Sequence, residues 1–205
     1  MGKGVLRGLS EETAGDDPIA LFRVWYEDAR RSGLYLPEAM TLATASPDGA
    51  PSARMMLLKG VDERGFRFFT NYASRKGEEM ADNTKAAMVF HWARLHRQVR
   101  IEGSVQRLSE QESAAYFQTR PRGSQIGAWA SLQSSVIEDR RQLEERFREH
   151  EDRYKNSEVP LPPFWGGLML APQRIEFWQG RANRLHDRLL FTRRGVGWDV
   201  TRLSP

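Results

Sequence analysis

Ser74-Arg75-Lys76-Gly77 sets a hydroxyl and two cations where a strand-like run gives way to a helical one. The first turn of a helix exposes free N–H groups and carries partial positive charge. Two cations there oppose the helix by roughly a few tenths of a kcal/mol each. A segment tuned only for helix stability would place Asp or Glu instead. An anion turns the conflict into attraction, so the segment reads as a phosphate cradle. The plainer alternative is a Ser N-cap followed by two exposed cations.

Three other constellations could handle anions. Arg54-Met55-Met56-Leu57-Leu58-Lys59 is strand-like, and alternation turns Arg54 and Met56 one way and Met55, Leu57 and Lys59 the other. The two cations then face opposite sides; a core strand with charged ends is the alternative. Tyr116, Arg120 and Ser124 leave a helix and enter a loop. Two hydroxyls and a guanidinium make a second oxyanion site, or else a helix end with its usual cation. From Trp178 to Arg188 the chain carries three arginines, a histidine and a tryptophan. An extended segment would put Arg184, His186 and Arg188 on one face; a surface hairpin is the alternative.

Other chemistries find little support. There is no cysteine, which removes thiolate catalysis, disulfides, iron–sulfur clusters and cysteine zinc sites. His91, His96, His150 and His186 show no metal-ligand spacing with carboxylates, so no metal is expected. Neither a G-x-S-x-G elbow, nor a P-loop, nor a Gly-rich dinucleotide fingerprint occurs. The net charge of +4 suits anionic ligands, but the bases are interleaved with acids and no long basic block points to nucleic acid. No apolar run has the length of a signal peptide near the N-terminus, and none approaches the ~20 residues of a membrane helix. The expectation is a soluble, cytoplasmic protein without nucleic-acid or membrane partners.

These residues need elements to hold them. A chain of 205 residues suggests one domain. Asp17-Pro18 is a helix start, Leu21, Phe22, Trp25 and Ala29 continue at helical spacing, and Ser32-Gly33 stops the run. Residues 1–17 form an arm expected to be flexible, and 18–205 the domain. Met40–Ser46 and Pro51–Lys59 read as a hairpin around Pro47-Asp48-Gly49. Val61–Gly65 turns into a strand at Phe66–Thr70. A helix runs from Ser74 to about Asn83, with strands at Ala86–Trp92 and Gln98–Leu108. Ser109-Glu110-Gln111-Glu112 is a capping box for a helix to about Gln118. Arg120–Gly123 reads as loop and Gln125–Ala130 as a short helix. Glu138–Lys155 is a charged, solvated helix, and Val159–Pro163 a stiff connector. The last strands are Gly167–Leu170, Arg174–Trp178, Arg188–Thr192 and Trp198–Thr201. Eight or nine hairpin-linked strands with inserted helices are not the βαβ alternation of a parallel sheet. They imply an α+β, β-rich fold: an antiparallel barrel or sandwich with peripheral helices.

The ordered set R-M-M-L-L-K, F-F-T-N, S-R-K, R-Q-V-R-I-E-G, Y-F-Q-T-R-P-R-G-S-Q-I-G-A-W, Q-S-S, F-W-G-G and E-F-W-Q-G…N-R-L-H-D-R resembles the pyridoxamine/pyridoxine 5′-phosphate oxidases. The likeness runs from about Pro18 to Pro205. It implies a split β-barrel that binds flavin mononucleotide (FMN), and a homodimer with FMN in the cleft between subunits. By matching motif, FMN would be held by Arg54, Met55, Met56, Leu57, Leu58, Lys59, Phe69, Thr70, Arg75, Lys76, Gln98, Gln133, Ser134, Trp178 and Arg188. Arg54, Arg75 and Lys76 would take its phosphate. Lys59, Tyr116, Arg120 and Ser124 would grip the substrate phosphate. Arg184, Leu185 and His186 would lie at the substrate ring, with Arg184 and His186 as the catalytic pair. The implied reaction oxidises pyridoxamine or pyridoxine 5′-phosphate to pyridoxal 5′-phosphate, with O2 as final acceptor and H2O2 as product. Flavin oxidases of the phenazine pathway share the FMN motif and the R-L-H segment, and are the competing reading. Family members often carry an N-terminal R-x-x-Y that covers the substrate; here Arg7 lacks its tyrosine, so either a truncated arm or a different lid is expected, and lid closure and substrate affinity stay open.

Overall fold

In the computed structural model of the chain, which describes residues 8–205, nine strands form one sheet with every pairing antiparallel. They are β1 (Ala39–Ala45), β2 (Pro51–Leu57), β3 (Gly60–Asp62), β4 (Gly65–Asn71), β5 (Lys85–Trp92), β6 (Arg97–Arg107), β7 (Trp165–Gln179), β8 (Asp187–Arg194) and β9 (Gly197–Arg202). The order is β2-β1-β5-β6-β7-β4-β3, with β8 also on β7 and β9 on β8. Helices α1 (Glu11–Ala14), α2 (Pro18–Arg31), α3 (Arg75–Asp82), α4 (Glu110–Gln118), α5 (Arg122–Ala130) and α6 (Arg140–Arg153) lie between the strands. The α+β, β-rich expectation holds.

Strand β7 organises the molecule. The sequence suggests two strands here because Ala171-Pro172-Gln173 interrupts the apolar runs. The structure has one strand of 15 residues. Its first half pairs with β4, its second with β8, and β6 follows it from Leu168 to Gln179. Pro172 has no N–H to give, and a register shift between Glu102 and Gly103 absorbs it. A Cβ on Gly103 would lie 2.1 Å from the Ala171 carbonyl oxygen, so only glycine lets the strands close at this point.

The helices follow their caps. Asp17 accepts the Ile19 N–H at 2.8 Å and starts α2. Phe22 and Trp25 then bury against Phe66, Phe90, Trp92 and Phe177 to form the main core. Ser109 and Glu112 form the expected capping box of α4. A second core joins α4, α5, α6 and the connector to β4 and β7 through Phe117, Ile126, Tyr154, Val159 and Trp165. Helix α6 has no fully buried residue and carries Arg140–Glu144 and Arg141–Glu145 pairs, as its charge pattern implied.

Several boundaries differ. Residues 60–62 form β3, overlapping the Val61–Gly65 segment read as a turn, and α5 begins at Arg122, inside the expected loop. Helix α1 was not anticipated. It has a Ser10–Thr13 capping box, and Leu9 beside it is buried. Arg7 lies outside the described residues. No described helix is long and apolar enough to cross a membrane.

Candidate active site

Most of the candidate residues fall into three clusters, each set by a different part of the sheet, and Lys59 stands outside them. The first surrounds the start of α3. Ser74 caps the helix as expected, accepting the Gly77 N–H at 3.4 Å and donating to the Asn71 carbonyl at 2.6 Å. A Cβ on Gly77 would come within 2.2 Å of the Tyr72 carbonyl oxygen, which is why glycine follows the two cations. Lys76 is buried. Its Nζ donates to Thr70 Oγ1 (3.3 Å), Ser74 Oγ (3.0 Å) and Gln133 Oε1 (3.1 Å). Burial, with the Arg54 charge behind it, lowers the Lys76 pKa, and Glu79 only partly offsets this. The Arg75 N–H donates to Ser134 Oγ at 3.2 Å, with Ser134 in the left-handed region at φ 75°. Gln133 and Ser134 thus cover the helix N-terminus.

Glu79 was not flagged and lies at the centre of this cluster. Its buried carboxylate accepts from Arg54 (3.2 Å), Arg75 (2.8 Å), Ser52 (2.6 Å) and Thr44. Burial pushes its pKa up, but the hydrogen bonds from Ser52, Thr44, Arg75 and Arg54 prevail and bring it down to about 2. The two guanidiniums are therefore held by an internal anion. The only advance signal was the spacing of four between Arg75 and Glu79.

The second cluster is aromatic. Phe69, next to Thr70 on β4, stacks on Tyr116 with centroids 3.8 Å apart, and Trp165 lies parallel to both. The Arg120 guanidinium lies 4.6 Å from the Trp165 ring centroid. Its Nη1 is buried and has no hydrogen-bond partner. Burial lowers the Arg120 pKa and raises that of Tyr116. Ser124 is exposed on the first turn of α5. Lys59 stands elsewhere: just beyond β2, exposed, it lines a different cavity of about 520 Å³ with Tyr26, Arg30 and Glu38. Arg54 and Met56 point inward along β2 while Met55 is exposed, and Leu58 is buried at the strand's end.

The third cluster crosses β6, β7 and β8. Register sets Gln98 beside Trp178 and Trp178 beside Arg188 in one row. Arg188 donates to Glu176 (2.8 Å) and to the Ser204 carbonyl (2.8 Å), while Arg100 holds the other Glu176 oxygen at 3.3 Å. The His186 ring lies 4.6 Å from that of Trp178, and its Nδ1 accepts the Arg181 N–H at 3.1 Å. A neutral His186 therefore carries its proton on Nε2. The extended run that would align Arg184, His186 and Arg188 is not present. Residues 182–184 form a short turn, Asn183 and Arg184 are left-handed (φ 57° and 61°), and β8 begins only at Asp187. Two left-handed residues break the strand alternation, and Arg184 and Leu185 become exposed.

The first cluster sets three cations about a helix start, the second sets a guanidinium on an aromatic stack, and the third sets an imidazole beside an indole. Comparison with known proteins gives the context. Residues 26–154 match the family model described as pyridoxamine 5′-phosphate oxidase. The chain belongs to that family. Residues 165–205 match the pyridoxine 5′-phosphate oxidase C-terminal dimerisation region, which holds the third cluster except Gln98 and Arg100 on β6. The pyridoxine/pyridoxamine 5′-phosphate oxidase of Rubrobacter xylanophilus is 60% identical over 97% of this chain and 91% of its own length. The Nostoc punctiforme enzyme of the same name is 57% identical, covering 98% and 94%. Among solved structures, PhzG from Burkholderia lata in complex with tetrahydrophenazine-1-carboxylic acid superposes with a TM-score of 0.90 at 32% identity, covering 96% of this chain and 98% of PhzG. A pyridoxamine 5′-phosphate oxidase-related, FMN-binding protein from Nostoc punctiforme matches with a TM-score of 0.73 at 19% identity, covering 93% of this chain and all of the other. The fold of this family member is the antiparallel split barrel that the motifs implied.

Proposed function

We propose that the protein is an FMN-dependent oxidase that converts pyridoxamine or pyridoxine 5′-phosphate to pyridoxal 5′-phosphate. The observation that carries this reading is the buried Arg120 Nη1 without a partner, on a guanidinium that lies against an aromatic stack. A buried, unsatisfied guanidinium N–H calls for an anion, and the stack beside it calls for a flat ring. A substrate with a phosphate and a pyridine ring meets both demands.

The first cluster fits FMN by a separate observation. Lys76 is buried as a cation among hydroxyls and an amide, next to two arginines, at a helix N-terminus. Such a site favours a phosphate. Arg54, Arg75 and Lys76 would hold it, and Thr70, Gln133 and Ser134 would flank it. Met55 to Lys59, Phe69, Gln98, Trp178 and Arg188 would complete the cofactor site. FMN, when bound, supplies the two-electron acceptor that O2 then regenerates, giving H2O2.

The chain's own residues bind and orient. Tyr116, Arg120, Ser124 and Lys59 would anchor the substrate phosphate, and Arg184, Leu185 and His186 would bracket the ring. With Nδ1 engaged, His186 offers an Nε2–H that can orient the substrate oxygen or nitrogen and carry a proton. Lys59 and the His186 loop lie apart from Arg120 within one chain, which supports a site completed by a second subunit, as does the match to a dimerisation region. The amine reaction also takes up one water and releases ammonia; the alcohol reaction does not.

The test is product balance. FMN-loaded protein in air should form pyridoxal 5′-phosphate and H2O2 in equal amounts from either substrate, with ammonia only from the amine. The likeness to PhzG favours a second reading, oxidation of a reduced phenazine carboxylic acid. Peroxide release with that acid and none with either vitamin B6 phosphate would replace the first reading with the second.

A further inference from the structure

The loop bearing Arg184 and His186 leaves the sheet after Gln179 and re-enters it at Asp187, its register partner. With Asn183 and Arg184 both left-handed, the loop keeps its shape only where surrounding contacts over-determine it. Two contacts lie within it: the Leu185 N–H reaches the Ala182 carbonyl at 3.1 Å, and the Arg181 N–H reaches His186 Nδ1 at 3.1 Å. A third spans its base, from Arg181 Nε to Asp187 Oδ2 at 3.1 Å.

Asp187 is itself held from outside. Oδ2 also accepts the Leu9 N–H at 3.2 Å, and Oδ1 accepts from Arg202 Nη1 at 3.1 Å. Arg202 continues to the Leu9 carbonyl (3.1 Å) and to Glu11 (2.8 Å). The Asp187 side chain is only 19% exposed. Gly8 packs over the pair: a Cβ there would lie 2.7 Å from Arg181 Nη2 and 3.3 Å from Asp187 Oδ2. Both carboxylate oxygens thus meet donors, and the N-terminal segment, the C-terminal strand and the loop converge on one side chain.

We infer that Asp187 is a positioning residue that acts through His186. By pinning Arg181, it keeps the Arg181 N–H on Nδ1 and so holds the imidazole proton on Nε2. Its role in turnover rests on the oxidase reading above; its role in setting the tautomer does not. Asp187→Asn is a sharp probe, because the amide N–H2 must face a donor whichever way it turns.

The experiment combines kinetics with 15N-histidine NMR. In FMN-loaded Asp187→Asn, kcat/KM for pyridoxine 5′-phosphate should fall at least tenfold while the FMN Kd stays within twofold. In a His186→Asn background the same substitution should cost less than twofold. The His186 signals should show the Nε2–H tautomer in the native protein and a mixture in the variant. Gly8→Ala, which crowds Arg181 from outside and leaves the carboxylate in place, should produce the same changes to a smaller extent; it also serves if Asp187→Asn fails to fold. An unchanged tautomer in both variants overturns the inference, as does an equal loss with and without His186. If the native protein oxidises neither substrate, the functional reading fails and the tautomer alone decides this one.

Discussion

Arg120→Ala should weaken substrate binding without weakening the fold, and the two effects can be weighed separately. Arg120 Nη1 is buried and unpartnered, while the guanidinium lies over Trp165 at 4.6 Å. Removing it takes away a cation–π contact of about 0.5–2 kcal/mol. It also removes the cost of an unsatisfied buried donor, about 1–3 kcal/mol. The terms oppose each other and leave at most about 1 kcal/mol of net destabilisation, so Tm should fall by no more than roughly 4 °C, at about 2–4 °C per kcal/mol for a chain of this size. Substrate binding has no such compensation. A hydrogen bond to a charged group contributes about 1.5–3 kcal/mol, so losing one should raise KM for pyridoxine 5′-phosphate by roughly 10- to 140-fold. Arg120→Lys keeps the charge but not the fork and should fall between. The assay is steady-state peroxide release over a substrate range, with FMN affinity from flavin fluorescence and Tm from scanning fluorimetry. A KM within twofold of the native value would refute the phosphate assignment. An FMN Kd raised as much as KM would show instead that Arg120 serves the cofactor.

Other perturbations test the α3 cluster. Lys76→Met should raise the FMN Kd about tenfold or more, as loss of one charge-assisted bond implies. Because burial lowers the Lys76 pKa from 10.5, its cationic form costs the folded state stability at neutral pH, and the cost fades as pH rises towards 10.5. The Tm of the native apoprotein should therefore gain on the Met variant over that range; parallel curves would refute the argument. Glu79→Gln should remove an acid-sensitive contribution. A carboxylate held at about 2 against an ordinary 4.5 stabilises fully above pH 4.5 and loses that contribution as pH falls towards 2. The native Tm should thus fall more steeply than the variant's in this window. Gly77→Ala should push the start of α3 off the Tyr72 carbonyl. Overpacking of about 1–3 kcal/mol corresponds to a Tm loss of roughly 2–12 °C, with weaker FMN binding; a neutral result would show that the turn relaxes freely.

How far the sequence could be read depended on the range of the determining interaction. Caps are local, and Asp17, Ser74 and Ser109 act as their neighbours implied. The division of β7 was misread because Pro172 is locally a strand breaker. Only the facing bulge at Gly103, some seventy residues earlier, makes it tolerable. The Arg184–Arg188 segment was misjudged for a related reason: alternation assumes an extended chain, and the left-handed pair at 183–184 is held by Asp187, Arg202 and the segment around Leu9. Pattern reading picked out the candidate anion-binding residues by their excess of cations. It missed their carboxylate partners, Glu79 within the α3 run and Glu176 within the strand-like run Arg174–Trp178.

That omission changes how the Ser74-Arg75-Lys76 conflict is resolved. Two cations at a helix start, with Arg54 from β2 beside them, seemed to require an external anion. Glu79 meets part of the requirement from within, tied to both arginines but making no hydrogen bond to Lys76. Within this hydrogen-bonded set, which excludes the exposed Glu78 of the first turn, three cations less one carboxylate leave two positive charges. A phosphate monoester carries about −1.5 to −2 at neutral pH. Glu79 therefore need not compete with the proposed FMN phosphate. It holds two guanidiniums in place before the ligand arrives, and trims the site's charge to one that a single phosphate can neutralise.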